Sequence, residues 1–220
     1  MNKYKSICLI IFIVLCSSFY ICSAKEKTYP LLGKIIYIDP GHGGRDPGAV
    51  YKDIYEKEIN LDISLKIVKK LESLGATVYM TRYGDYDLSV NRTNNTKRSD
   101  LSRRSIMINE SKADMYISVH LNSDPNSTYR GLQIFYDEIN KENKNIAESF
   151  QIILSKHIKN IKPYKKAKNL YLYKHTLVPG ILLEVGFLSN SNDRYMLKTE
   201  SYQEKIATLL SNSVNNYYNH

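Results

Sequence analysis

The stretch Ile35-Ile36-Tyr37-Ile38-Asp39-Pro40-Gly41-His42-Gly43-Gly44 constrains this chain more than any other. Its first four residues are β-branched or aromatic and read as a short buried strand. Asp-Pro stops the strand, and Gly-His-Gly-Gly lets the backbone turn sharply without a Cβ penalty. A histidine is thereby held at the carboxyl end of a strand, on a loop that can approach a ligand closely. In open α/β sheets that end is where binding sites collect. Taken alone, His42 is equally well a turn histidine among glycines. A phosphate-cradling loop is disfavoured, because the Lys-Ser/Thr of a P-loop and the Gly-x-Gly-x-x-Gly pattern are both missing.

The rest of the chain alternates strands with helices. From Glu56 to Leu74, Ile59, Ile63, Ile67 and Leu71 recur at four-residue steps, acids come early, lysines late, and Gly75 closes the segment. That is an amphipathic helix with its ends marked. Residues 76–82 read as a strand, 83–100 as a polar surface loop and 101–111 as a short helix. A strand over 114–123 contains His120. Further strands are expected at 131–136, 169–173 and 180–185, with helices at 143–159 and 204–217. This order predicts one α/β domain with a largely parallel sheet.

The 220 residues are enough for a sizeable single core, and 43% hydrophobic content rules out a disordered chain. The formal net charge of +9 calls for an acidic partner or surface. Lys165-Lys166-Ala167-Lys168 is short, is expected in a loop and has no nucleic-acid module beside it, so a solvated basic face is the preferred reading. At the N-terminus, Lys3 and Lys5 precede an apolar run from Ile7 to Ile21 and a small-residue exit at Cys22-Ser23-Ala24. Residues 1–24 are therefore read as a secretory signal peptide cleaved after Ala24, with an uncleaved anchor as the alternative. Cleavage removes Lys3 and Lys5, so the formal charge drops by those two from +9 to +7. It also removes Cys8, Cys16 and Cys22, all the cysteines there are. The mature chain, 25–220, would have no disulfides and no thiol chemistry, and any metal site must come from His and carboxylates.

Four residues fit such a site. His42 follows the first strand, Glu56 opens the next helix, His120 closes the third strand, and Glu184 sits in the apolar run Ile181-Leu182-Leu183-Glu184-Val185. Two imidazoles and a carboxylate make a three-ligand catalytic zinc set with a fourth position open to water. Each has a plainer reading: the histidines as hydrogen-bonded core residues, and Glu56 as an acid favoured at a helix start. Glu184 is costly to bury unless paired, protonated or placed beside a cation. A salt bridge or a general base beside a metal would each account for it.

Five segments carry a resemblance: 39–44 (DPGHGG), 46–49 (DPGA), 56–61 (EKEINL), 118–123 (SVHLNS) and 183–190 (LEVGFLSN). In order and spacing they resemble the zinc-dependent N-acetylmuramoyl-L-alanine amidases of the Amidase_3 family, from about Lys34 to the C-terminus. The resemblance implies a single domain with a mostly parallel, mixed sheet and helices on both faces. It implies hydrolysis of the amide between muramic acid and L-alanine in peptidoglycan, with zinc as cofactor. His42, Glu56 and His120 match the family's metal ligands, Glu56 being preferred to Glu58 because the family's acid precedes the lysine. Glu184 matches the catalytic glutamate. Arg104, Asn122 and Lys174 take secondary substrate-binding places, Arg104 having a surface or helix-packing charge as its alternative.

No repeated wall-binding module is expected. The chain thus resembles single-domain members that prepare spore cortex for germination by making muramic-δ-lactam. That subgroup implies an exported protein, in the wall or the spore intermembrane space, and a second exported protein that localises or activates it. A vegetative wall amidase, a different zinc amide hydrolase and a non-catalytic peptidoglycan-binding protein are the alternatives.

Overall fold

The structure, a computed structural model, describes residues 3–4, 7–12, 28–90, 96–168 and 170–219. The predicted cleavage point after Ala24, Cys16, Cys22 and Asn169 lie outside them. A six-stranded sheet forms the middle layer, in the order β4-β1-β5-β8-β6-β7. Here β1 is Ile35–Pro40, β4 Thr77–Met80, β5 Met115–Asn122, β6 Gln133–Tyr136, β7 Lys165–Lys166 and β8 Gly180–Phe187. β4, β1, β5 and β8 run parallel, β6 is antiparallel to β8, and β7 is parallel to β6. The sheet is therefore mixed and mostly parallel, as expected.

The helices are α1 (Glu56–Ser73), α2 (Thr96–Glu110), α3 (Glu142–His157), α4 (Tyr171–His175), α5 (Ser191–Leu197) and α6 (Glu200–Asn219). One face of the sheet is covered by α1 and α3, which lie on the strands, and by α6, which packs against both of these helices. The alternate residues Ile36 and Ile38 of β1, Met115, Ile117, Val119 and Leu121 of β5, and Ile181, Leu183 and Val185 of β8 are buried there. Each such side chain contributes roughly 1.5–3 kcal/mol by leaving water. The opposite face has a smaller cluster, built from Tyr37, Tyr116 and Leu182 of the sheet with Ile108 of α2 and Leu172 and Tyr173 of α4. Both faces carry helices, but very unequally.

Four expectations differ from the structure. α2 begins at Thr96, not 101, because the polar stretch that read as loop turns Asp100 and Arg104 inward into an ion pair at 2.7 Å. The strand expected at 169–173 is instead α4, a short helix whose Leu172 and Tyr173 pack together against Tyr116 and Ile108 on the less covered face of the sheet. Within the loop after β1, two short strands, β2 (Val50–Tyr51) and β3 (Ile54–Tyr55), form a hairpin leading into α1. Lys165 and Lys166, expected in a loop, form the two exposed residues of edge strand β7. At the other margin, the Met80 N–H of β4 is taken by the Tyr83 hydroxyl at 3.1 Å.

Candidate metal centre and the groove beside it

The strands that bury aliphatic residues on one face place polar residues on the other, because side chains alternate. Asp39 of β1 sits in register with Ser118 of β5, and His120 of β5 with Glu184 of β8. The β5–β8 pairing slips between His120 and Asn122. His42 comes in from the loop beyond β1, and Glu56 from the first residue of α1. His42, Glu56 and His120 offer ligand atoms that all lie within 4.8 Å of one another. The structure thus brings together three residues predicted from sequence, and Glu184 stands beside them across the strand pair.

Glu56 is 3% exposed and its carboxylate is nearly saturated with donors. Oε1 accepts from Leu121 N at 2.9 Å and Asn60 Nδ2 at 3.2 Å, and Oε2 from Ala49 N at 2.8 Å. Oε1 also lies 3.1 Å from His120 Nδ1 and 3.2 Å from His42 Nε2. Burial alone would raise its pKa, but the bonds and charges of His120 and His42 outweigh it and hold the carboxyl well below the usual range. Helix α1 has no side-chain cap. The carbonyls of Ala49 and Pro47 accept from Glu56 N and Lys57 N instead, fixing the ligand's backbone.

Two glycines make the close approach possible. A Cβ at Gly41 would fall 2.2 Å from the His120 ring, and one at Gly48 would fall 2.6 Å from Glu56 Oε2. His42 has φ +64°, a left-handed conformation that costs a non-glycine residue energy. It is held from outside. Asp46 Oδ2 lies 2.9 Å from His42 Nδ1, close but not aligned to accept a hydrogen bond from it. Burial disfavours the charged imidazole, yet Glu56 and Asp46 together raise the His42 pKa.

Arg104, 1% exposed, donates to the His42 carbonyl at 2.6 Å, the Pro40 carbonyl at 2.8 Å and Asp39 Oδ1 at 2.8 Å. It is neither a surface charge nor free to reach far into solvent; its guanidinium is committed to the loop that carries His42. Asp39 is buried too, which would raise its pKa. The charge of Arg104 and hydrogen bonds from Thr81 and Ser118 outweigh this and lower it.

Glu184 has the opposite setting. Part of the residue opens to a groove, but its Oε2 is enclosed without a hydrogen-bond partner. Burial pushes its pKa up to about 7, His120 opposing and Glu56 adding to the rise. The groove, about 260 Å³, runs from His42, His120 and Glu184 along an apolar wall of Leu101, Leu170, Tyr171, Leu172 and Leu182. Lys97 stands on its charged rim.

Two other predicted contacts are not among the residues lining the groove. The Asn122 side-chain oxygen accepts from Ser123 N at 2.8 Å, and its carbonyl accepts from Leu188 N. Lys174 lines a separate depression with Asp137, Glu138 and Lys166. Sequence reasoning placed Asp46 in a family-like segment without giving it a role, and passed over Arg82. Asp46 carries a weak signal, an acid four residues after a candidate ligand. Arg82 carries none beyond its place after β4, since periodicity does not report a buried charge.

Two neutral-capable imidazoles and a carboxylate that is ionised even when enclosed are a donor set suited to zinc, and three ligands leave a coordination position open. The residues fit the ion.

A family model described as N-acetylmuramoyl-L-alanine amidase matches residues 36–216. The chain is 38% identical over 200 residues to the germination-specific N-acetylmuramoyl-L-alanine amidase of Bacillus subtilis, across 89% of this chain and 84% of that protein. Its fold is similar to the solved structure of the CwlD amidase from Clostridioides difficile in complex with the GerS lipoprotein. There the TM-score is 0.79 and the identity 36%, over 84% of this chain and 98% of that one. An N-acetylmuramoyl-L-alanine amidase from Clostridium difficile 630 gives a TM-score of 0.73 at 29% identity, over 82% and 94% of the two chains.

Proposed function

This chain belongs to the N-acetylmuramoyl-L-alanine amidase family of peptidoglycan hydrolases, and we propose that it works with a zinc ion held by His42, Glu56 and His120 and with Glu184 as its proton carrier. The observation that supports this most is the β5–β8 register, which sets Glu184 directly beside the ligand His120. When bound, zinc supplies a Lewis acid that polarises the scissile carbonyl and makes water acidic enough to attack near neutral pH.

The chain's own groups do the rest. Glu184 removes a proton from the attacking water as the new C–O bond forms, and returns one to the nitrogen of L-alanine as the C–N bond breaks. Burial raises Glu184 to about 7 before any metal is present, and a cation beside it would favour the carboxylate form that accepts the first proton. Glu56 stays ionised because five nitrogens surround it, so it does not compete for that proton. The apolar wall of the groove offers the lactyl and alanyl methyl groups a dry surface, while Lys97 on the rim faces an acidic substrate.

The physiological setting follows from the relatives. Similarity to a germination-specific amidase and to CwlD supports a role in spore cortex, where cleavage of the stem peptide would prepare muramic-δ-lactam. Export by the N-terminal segment goes with this. Ile7, Leu9, Ile10, Ile11 and Phe12 are all more than half exposed, and no described helix is long and apolar enough to cross a membrane. The lipoprotein bound to CwlD supports an exported partner of that class here.

The test combines metal analysis with digestion of purified muropeptides. Wild-type protein should hold one zinc and release muramoyl carboxylates and free L-alanine amino ends. Glu184→Gln should keep its zinc and lose roughly 10²–10⁴-fold in rate. Unchanged processing would remove Glu184 from the mechanism. Spores of a strain lacking the gene should contain no muramic-δ-lactam; a normal cortex with altered vegetative wall turnover would shift the role to the vegetative wall.

A further inference from the structure

Arg82 follows β4 and has no exposed surface at all. Among the described residues, every hydrogen bond it makes goes to a backbone carbonyl. Nε donates to Pro40 at 3.0 Å, Nη1 to Gly84 at 3.1 Å, and Nη2 to both Gly41 at 2.9 Å and Lys57 at 2.7 Å. Gly41 immediately precedes His42, and Lys57 immediately follows Glu56. One nitrogen therefore joins the backbone beside one metal ligand to the backbone beside another. Asn60 spans the same gap more weakly, donating to the Gly41 carbonyl at 3.3 Å and to Glu56 Oε1 at 3.2 Å.

The other two junctions of the centre need no such brace. Glu56 is bonded directly to β5 through Leu121 N, and the loop after β1 is bonded to β5 through Gly41 N and the Val119 carbonyl at 2.9 Å. The loop of His42 and the start of α1 meet through Lys57 N on the Pro47 carbonyl at 3.2 Å and Lys57 Nζ on the Gly44 carbonyl at 2.9 Å, both beyond His42 in the chain, whereas Arg82 joins the backbone on the strand side of His42 to the backbone beside Glu56. Burying a guanidinium against carbonyls alone is expensive, and an apolar side chain of similar volume is often neutral or stabilising in its place. Core packing does not account for it. A planar fork of five donors that fixes four carbonyls at once does.

We propose that Arg82, with Asn60 beside it, is a positioning residue that sets the gap between His42 and Glu56 before the metal arrives. This rests on the reading of His42, Glu56 and His120 as a metal centre. A lysine at the position keeps the charge but cannot hold four carbonyls in one plane. The apo loop would then sample a wider spacing, and zinc would have to gather its ligands.

The experiment measures zinc affinity of the metal-stripped full chain by competition with a chromogenic chelator. Thermal midpoints of the stripped proteins and kcat at saturating zinc are recorded alongside. Arg82→Lys should bind zinc roughly 10- to 100-fold more weakly, with kcat at saturating zinc within a few-fold of wild type. Leu210→Ala, which loosens the aliphatic core under α6 and touches none of the bonds around the ligands, should match the loss of thermal stability yet bind zinc like wild type. If Arg82→Lys binds zinc as tightly as wild type, or no more weakly than Leu210→Ala, the proposal is wrong. Should Arg82→Lys not fold, Asn60→Ala cuts the weaker strand of the same brace. A several-fold loss of zinc affinity there supports the proposal, and an unchanged affinity overturns it. Wild-type protein that binds no zinc would overturn the metal centre itself, a result distinct from either.

Discussion

On one face of the sheet, β1, β5 and β8 present Ile36, Ile38, Ile117, Val119, Leu183 and Val185 to three helices. On the other, the alternate positions of the same strands hold Asp39, Ser118, His120 and Glu184, under only α2 and α4. The aliphatic face gains free energy from area, which is non-directional and tolerates exchange of one hydrocarbon for another. The polar face gains little from area. Its order depends on directed bonds that must all be made, with two buried arginines, an enclosed aspartate and several backbone carbonyls closing on one another. The lesson is a division of labour across a single layer: one side keeps the chain folded, and the other spends part of that stability on arranging charges.

The comparison can be broken at several points, beginning with the greatest expected effect. Asp39→Asn leaves Arg104 enclosed without its nearest buried counter-charge and should cost about 3–5 kcal/mol, as well as most activity. Denaturant titration checks the first, and muropeptide release the second. The sign with pH is definite. Because Asp39 titrates lower in the folded than in the unfolded chain, its contribution is fully present above the unfolded value near 4 and fades as pH falls through the folded one. Wild-type stability should therefore drop more steeply than that of Asp39→Asn in that acid range. Equal slopes would mean that the aspartate is not held as described.

Leu210→Ala, on the aliphatic side, should cost about 2–5 kcal/mol through the cavity it leaves. Its kcat/KM for muropeptides, measured well below the unfolding temperature, should stay within a few-fold of wild type. A large loss of activity there would end the division between the faces. The smallest expected change comes from Ser118→Ala, which removes one hydrogen bond at 2.7 Å to Asp39 and should cost about 1 kcal/mol in denaturant titration. A cost equal to that of Leu210→Ala would show the polar network to be more cooperative than pairwise bonds imply.

Much of this could be read in the sequence, and the reasons are specific. The period-two pattern in Ile117-Ser118-Val119-His120-Leu121 already assigns His120 to the face opposite the aliphatic core, and the single acid in β8 assigns Glu184 likewise. What sequence does not encode is register, so their adjacency emerges only when the strands are paired. α4 was misleading because Leu170-Tyr171-Leu172-Tyr173 alternates in residue size, which imitates a strand, while the chain there covers a tyrosine cluster with one helical turn. The start of α2 is hidden for another reason: Thr, Ser and Asp rank low in helix propensity, and tertiary bonds to Asp100 and Arg104 override that preference. Arg82 was invisible because a charge that serves backbone carbonyls has no partner residue to search for.

The sheet's two outer margins carry a consequence of their own. One ends in a pair of lysines, and at the other a tyrosine hydroxyl occupies an outward backbone N–H. Neither presents the long, flat, unsatisfied ladder from which intermolecular strand addition spreads. Even with its ligand loops loosened by metal loss, the protein is thus guarded against the cross-β polymerisation that threatens a mostly parallel architecture with open borders.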